Sequence, residues 1–86
     1  MIRVVYLGKL ADIAGKPESQ FSSSDGELDW PDLVEVLRNH VNTEISEAVE
    51  DIRTRVAVNG ELLADKTYLV AKHGDEIALL PPVSGG

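Results

Sequence analysis

The chain contains no cysteine. That single absence removes disulfides, iron–sulfur clusters, thiolate metal sites and cysteine nucleophiles together. Basic residues are scarce as well: 8 Lys and Arg stand against 15 Asp and Glu, for a net charge of −7. A nucleic-acid binder needs clustered Lys and Arg to displace phosphate counterions, and the sequence has no such cluster. The acidity serves solubility and is compatible with a basic protein partner. No apolar run approaches the roughly 20 residues that span a bilayer, and no signal peptide is visible. The expectation is a soluble, cytoplasmic protein with neither a membrane nor a nucleic-acid partner.

Catalytic constellations are missing too. His40 and His73 are isolated, with no metal-ligand spacing around them. Ser84 has no accompanying base, and no glycine-rich stretch leads into a helix as a phosphate loop would. The sequence therefore predicts no autonomous catalysis, no metal and no cofactor bound by this chain.

What is present is ordinary for a folded protein. Hydrophobic residues make up 43% of the 86 positions, enough for one small domain spanning residues 1–86. No repeat, low-complexity segment or linker divides it. Ile2–Leu7 is β-branched and aromatic and reads as a strand. Ala11–Gly15 reads as a short helical turn ended by glycine, and Glu18–Phe21 as the second strand of a hairpin. Ser22–Gly26 reads as a loop, and Glu27–Asp29 leads into the main helix. Asp29 is its expected N-cap, Pro31 suits the first turn, and Asp32 favours the positive end of the dipole.

Leu33, Val34, Leu37 and Val41 recur at helical spacing, with Trp30 expected to pack over the core edge. Asn42-Thr43 marks a break or second cap, followed by an amphipathic stretch carrying Ile45, Val49 and Ile52. Val56–Val58 reads as a strand, Asn59-Gly60 as a two-residue hairpin turn and Glu61–Ala64 as the return. Tyr68–Val70 reads as a brief strand or 3₁₀ piece, and Lys72–Asp75 as a turn. The ββαββ order predicts an α+β fold, a mixed sheet with one main helix across it.

The last thirteen residues, GDEIALLPPVSGG, organise the rest. Ile77–Leu80 is a short continuous apolar run, which suits a strand flanked by other structure on both sides. Pro81 and Pro82 have no N–H to donate and stop sheet pairing. Val83, Ser84, Gly85 and Gly86 are too few and too small to pack, so residues 83–86 are expected to form a thin, flexible tail. Glycine leaves no Cβ beside the terminal carbonyl, so the tail fits a narrow channel and admits a nucleophile. A carboxylate is a poor electrophile until another protein activates it, for instance as an acyl-adenylate made from ATP.

This terminal stretch, with MIRVVYLGKLADIAG at the start and RVAVNGELL in the middle, resembles the small sulfur-carrier subunits of molybdopterin synthase along the whole chain. The resemblance implies a β-grasp, ubiquitin-like fold and a sulfur carried as a thiocarboxylate on Gly86. The missing cysteines agree, since they leave the terminal carboxyl as the place for sulfur and reject the ferredoxins that share the architecture. The resemblance further implies an ATP-using, ubiquitin-activating-type enzyme that adenylates Gly86. A sulfurtransferase or cysteine desulfurase would act as sulfur donor, and the large synthase subunit would hold the pterin precursor. A hetero-oligomer with that large subunit is expected.

Leu7, Leu62 and Leu80 match hydrophobic positions that meet partners in this family, while Pro81, Pro82, Val83, Ser84 and Gly85 belong to the segment that partners grip. Leu79-Leu80 departs from the paired phenylalanines of some relatives, which bears on partner interchangeability. Two other readings share the Gly-Gly end. One is a sulfur carrier for another pathway such as thiamine synthesis, and the other is a modifier joining Gly86 to lysines through isopeptide bonds.

Overall fold

The computed structural model describes residues 1–82. The polypeptide runs β1 (Ile2–Tyr6), α1 (Lys9–Ala14), β2 (Glu18–Phe21), β3 (Glu27–Asp29), α2 (Trp30–His40), α3 (Thr43–Glu50), β4 (Arg55–Val58), β5 (Glu61–Leu62), a 3₁₀ turn (Lys66–Tyr68), β6 (Val70–Lys72) and β7 (Glu76–Leu80). Five strands form a mixed sheet in the order β2-β1-β7-β4-β5, and β3 pairs with β6 as a separate antiparallel ribbon. The C-terminal strand β7 is thus the middle of the sheet. It runs parallel to β1, with Tyr6 opposite Leu79, and antiparallel to β4, with Arg55 opposite Leu80.

Side chains alternate between faces along a strand, and here the alternation divides the sheet cleanly. Ile2, Val4, Tyr6, Val56, Ile77 and Leu79 point to one face and are buried there. The helices cover that face with Leu10 and Ala14 from α1, Leu33, Val34 and Leu37 from α2, and Ile45 and Val49 from α3. Leu28 of β3 and Ala71 of β6, opposite each other in register, close the core from the side.

Local chemistry explains where the helices begin. The Asp29 carboxylate accepts from the Asp32 N–H at 3.0 Å, with Pro31 in the first turn, as the sequence predicts. Asn42 is the second cap: its Oδ1 accepts from the Ile45 N–H at 2.7 Å and its Nδ2 donates to the Ile13 carbonyl at 3.0 Å. One side chain therefore starts α3 and ties it to α1. Trp30 packs on the core edge, and the Lys66 ammonium stands 5.4 Å from its ring centroid.

The structure corrects four expectations. Glu27–Asp29 is a strand rather than a lead-in, because Leu28 has a buried partner in Ala71 on a segment more than forty residues away. Lys72 belongs to β6 rather than to the following turn. Ile52 lies beyond the end of α3 and is 90% exposed, since the helix stops at Glu50 and the Arg53 N–H turns back to the Asp51 carboxylate at 2.8 Å. Ile77–Leu80 is flanked by β1 and β4 on its two edges, but only Ile77 and Leu79 are buried; Ala78 and Leu80 face a side that no helix covers.

Candidate functional site

The uncovered face of the sheet is built by the residues between the core positions. Val5, Ala78, Ala57 and Leu62 form one row across four strands, read directly from the pairings Val5 with Ala78, Ala57 with Ala78, and Ala57 with Leu62. One step toward the C-terminal end of β7 stand Leu80, with Arg55 opposite, and Leu7 just past the end of β1. Leu7 is 40% exposed and Leu62 is 52% exposed, high values for leucines on an ordered sheet. Ala57 and Ala78 are small, so the row between the leucines is shallow and the larger side chains stand at its margins.

The opposite end of the same face is charged and self-neutralised. The Arg3 guanidinium donates to both carboxylate oxygens of Glu18 at 3.1 and 3.0 Å and lies 3.2 Å from Glu76. The Glu18 hydrogen bonds first, and its charge with that of Glu76 next, raise the Arg3 pKa above its ordinary value. The face therefore grades from a closed ionic cluster to an apolar patch along the direction in which β7 runs.

The apolar end is also where the chain leaves the sheet. The Leu7 N–H donates to the Leu79 carbonyl at 3.1 Å, the last rung holding β7 beside β1. Gly8 follows at φ +54°, and a Cβ built there would lie 3.1 Å from the Pro81 ring. Glycine is needed at this position both for its backbone conformation and for the close approach of the proline. Pro81 and Pro82 are half-buried, without further strand pairing, so the exit of the chain is fixed against the β1–α1 corner.

Leu7, Leu62 and Leu80 thus share one face, beside the point from which Pro81 and Pro82 lead away. Val83, Ser84, Gly85 and Gly86 lie outside the described residues. Sequence reasoning missed Val5, Ala57 and Ala78, which join the leucines into one surface, and Gly8, the seat of Pro81. Strand parity gives the first group once the register is known; the seat depends on a turn geometry that no pattern of residues announced.

No His, Cys, Asp and Glu cluster among the described residues could hold a metal ion. An open groove of about 560 Å³ lies at the β4 edge, bordered by Ile52, Arg55, Leu63 and Lys66. Within it the Thr67 hydroxyl donates to the Asp65 carboxylate at 2.7 Å, a bond that belongs to the turn at Asp65, whose carboxylate also accepts from the Thr67 N–H at 2.9 Å. No helix among the described residues is long and apolar enough to cross a membrane.

Known proteins resemble the chain over its whole length. The molybdopterin synthase sulfur carrier subunit of Chlamydomonas reinhardtii is 32% identical over 87 residues, covering 99% of this chain and 98% of that one. The crystal structure of SAMP1 from Haloferax volcanii superposes with a TM-score of 0.71 at 27% identity, covering 99% of this chain and 98% of that chain. A complex of subunits 1 and 2 of the molybdopterin-converting factor from Helicobacter pylori contains a chain of the same fold, with a TM-score of 0.62 at 22% identity, covering 99% and 97%. The architecture is the ubiquitin-like β-grasp expected from the sequence. A family model matches residues 4–86, and the chain belongs to the ThiS family.

Proposed function

We propose that this protein is the sulfur carrier subunit of a molybdopterin synthase, with the carboxyl group of Gly86 as the carrying atom group. The observation that carries the reading is the placement of the exit. The central strand β7 ends at Pro81-Pro82 beside an apolar face formed by Leu7, Leu62 and Leu80. A partner that grips that face meets the chain where Pro81 and Pro82 lead away from the sheet. The full-length likeness to a subunit of that name supports it.

The chemistry divides among partners. The Gly86 carboxylate attacks the α-phosphate of ATP in an activating enzyme, giving an acyl-adenylate and pyrophosphate. The terminal sulfur of a persulfide on a sulfurtransferase or desulfurase then displaces AMP to give an acyl disulfide. A thiol reductant cleaves its S–S bond, becoming a disulfide and leaving Gly86 as a thiocarboxylate. In the large synthase subunit the thiocarboxylate sulfur adds to an electrophilic carbon of the pterin precursor to give a thioester. Water cleaves its acyl carbon–sulfur bond, leaving the sulfur on the pterin and returning Gly86 to a carboxylate. In this reading the chain contributes docking and a Gly-Gly terminus, and the cofactor chemistry is left to its partners. The Helicobacter pylori complex, a fold relative solved with its subunit 2, supports a large-subunit partner.

A second reading is favoured by the likeness to SAMP1, a small archaeal modifier protein. There Gly86 would be passed from the adenylate to a lysine amine as an isopeptide bond. Incubation with the activating enzyme and ATP tests the common first step: pyrophosphate release that disappears on deletion of Gly86 is expected, and release unaffected by the deletion overturns both readings. Addition of the sulfur donor and the large subunit separates them. Sulfur incorporation into the pterin supports the carrier, whereas protein-linked Gly86 with no pterin product supports the modifier.

A further inference from the structure

The arginines of this chain divide three to one. Arg3 lies 3.0 Å from Glu18, Arg38 lies 3.8 Å from Glu50 and Arg53 lies 2.9 Å from Asp51. Arg55, the remaining arginine, has no ion-pair partner among the described residues. It is exposed at the start of β4, and its neighbour Val56 is fully buried on the helix-covered face. Arg55 therefore stands on the open face, opposite Leu80 in register and two residues along β4 from Ala57, which pairs with Leu62. A chain with 15 carboxylate side chains leaves one guanidinium without an ion pair among the described residues, at the margin of the apolar patch beside the exit of β7. At the other end of the same face, the chain neutralises Arg3 with two of its own glutamates.

We infer that Arg55 is a specificity-determining contact for the protein that receives the tail, and that it takes an Asp or Glu carboxylate which this partner presents beside an apolar docking surface. The inference rests on the preceding reading in one respect, that a protein partner docks on the open sheet face. A guanidinium is suited to this role because its planar fork bonds a carboxylate through two parallel N–H donors. A charge at the rim of an interface governs the association rate, its salt dependence and the rejection of mismatched partners more than it governs total affinity. The three leucines then supply the buried area, and Arg55 decides which apolar surface is accepted next to the exit.

Binding of the full chain to the large molybdopterin synthase subunit from the same organism, measured by calorimetry at low and high salt, tests this. Arg55→Glu is expected to weaken binding at least about tenfold at low salt, with a smaller difference at high salt. Arg55→Lys is expected to recover part of that loss, and Arg3→Gln to stay within about twofold of the parent chain. Thermal unfolding of Arg55→Glu checks that the exposed substitution leaves the fold intact. Leu80→Asp serves as the docking control and is expected to abolish binding. If Arg55→Glu binds within about twofold of the parent while Leu80→Asp does not bind, the sheet face is the docking face and the role of Arg55 is overturned. If Leu80→Asp binds normally as well, the docking part of the preceding reading falls with it.

Discussion

On the helix-covered face of the five-stranded sheet, Ile2, Val4, Tyr6, Val56, Ile77 and Leu79 are at most 2% exposed. On the other face the same strands carry Val5, Leu7, Ala57, Ala78 and Leu80, with Leu62 of β5 beside them, and no helix lies over them. Both faces carry apolar residues, so hydrophobicity alone does not separate their roles. Position parity does: one residue along a strand exchanges the helix-covered core for the open face, where Val5, Ala78 and Leu80 are only partly buried. Large apolar residues that fold the chain are fully enclosed, whereas those on the open face gather around the exit of β7, where the proposed partner would dock.

The contrast is sharpest at neighbouring leucines. Leu79→Ala removes a fully buried side chain and is expected to cost about 2–5 kcal/mol of stability, measured by urea unfolding. Leu80→Ala, one residue away and half-buried, is expected to cost under about 1 kcal/mol while weakening the large subunit's grip. Equal stability losses at the two positions would erase the distinction between the faces.

Leu62→Ala gives a purer form of the same test, because β5 is a short edge strand and this side chain is 52% exposed. Partner affinity is expected to fall about tenfold with the urea midpoint nearly unchanged. Lys66→Met probes the covered side from its rim. The Lys66 ammonium donates to the carbonyls of Val49, Asp51 and Thr54, closing the end of α3. Partial burial pulls its pKa below the ordinary lysine value, against Asp51, Glu50 and Asp65. Loss of these bonds is expected to cost about 1–3 kcal/mol of stability and to leave partner binding unchanged.

The smallest expected effect is on acid stability. Arg53 hydrogen bonds hold the Asp51 carboxyl at about 2, below its ordinary value. Asn59 and the Lys72 N–H lower that of Asp75 in the same way. Carboxyls with a depressed folded pKa contribute stability above their unfolded pKa and lose it as the pH falls through the folded value. For Asp51 that window runs from 3.8 down to about 2. Asp51→Asn is expected to flatten the fall of the unfolding midpoint across this window, and an unchanged slope would count against the Arg53 pairing as its cause.

Much of this arrangement was legible in the sequence where a local signal decides the structure. Asp29 and Asn42 announce helix starts because a cap is a contact over three residues. Asn59-Gly60 announces a hairpin because both residues take positive φ, at 51° and 84°, and Val58 then pairs with Glu61. The ribbon of β3 and β6 was not legible, since Leu28 becomes a strand residue only through Ala71, far along the chain. Ile52 was misplaced because helical spacing continues through it while the Asp51–Arg53 contact ends the helix. At the site, Leu7, Leu62 and Leu80 came from the family resemblance, and their shared face came from the register. Arg55 carried no sequence signal, because its isolation is visible only once the other arginines are seen paired.

The most direct test of the carrier role is the intact mass of this protein purified from its native cells, with fragmentation to locate any change. The expected result is a fraction in which one oxygen of the Gly86 carboxyl is replaced by sulfur, absent when the activating enzyme is deleted. An unmodified Gly86 in cells that are making molybdopterin would contradict it.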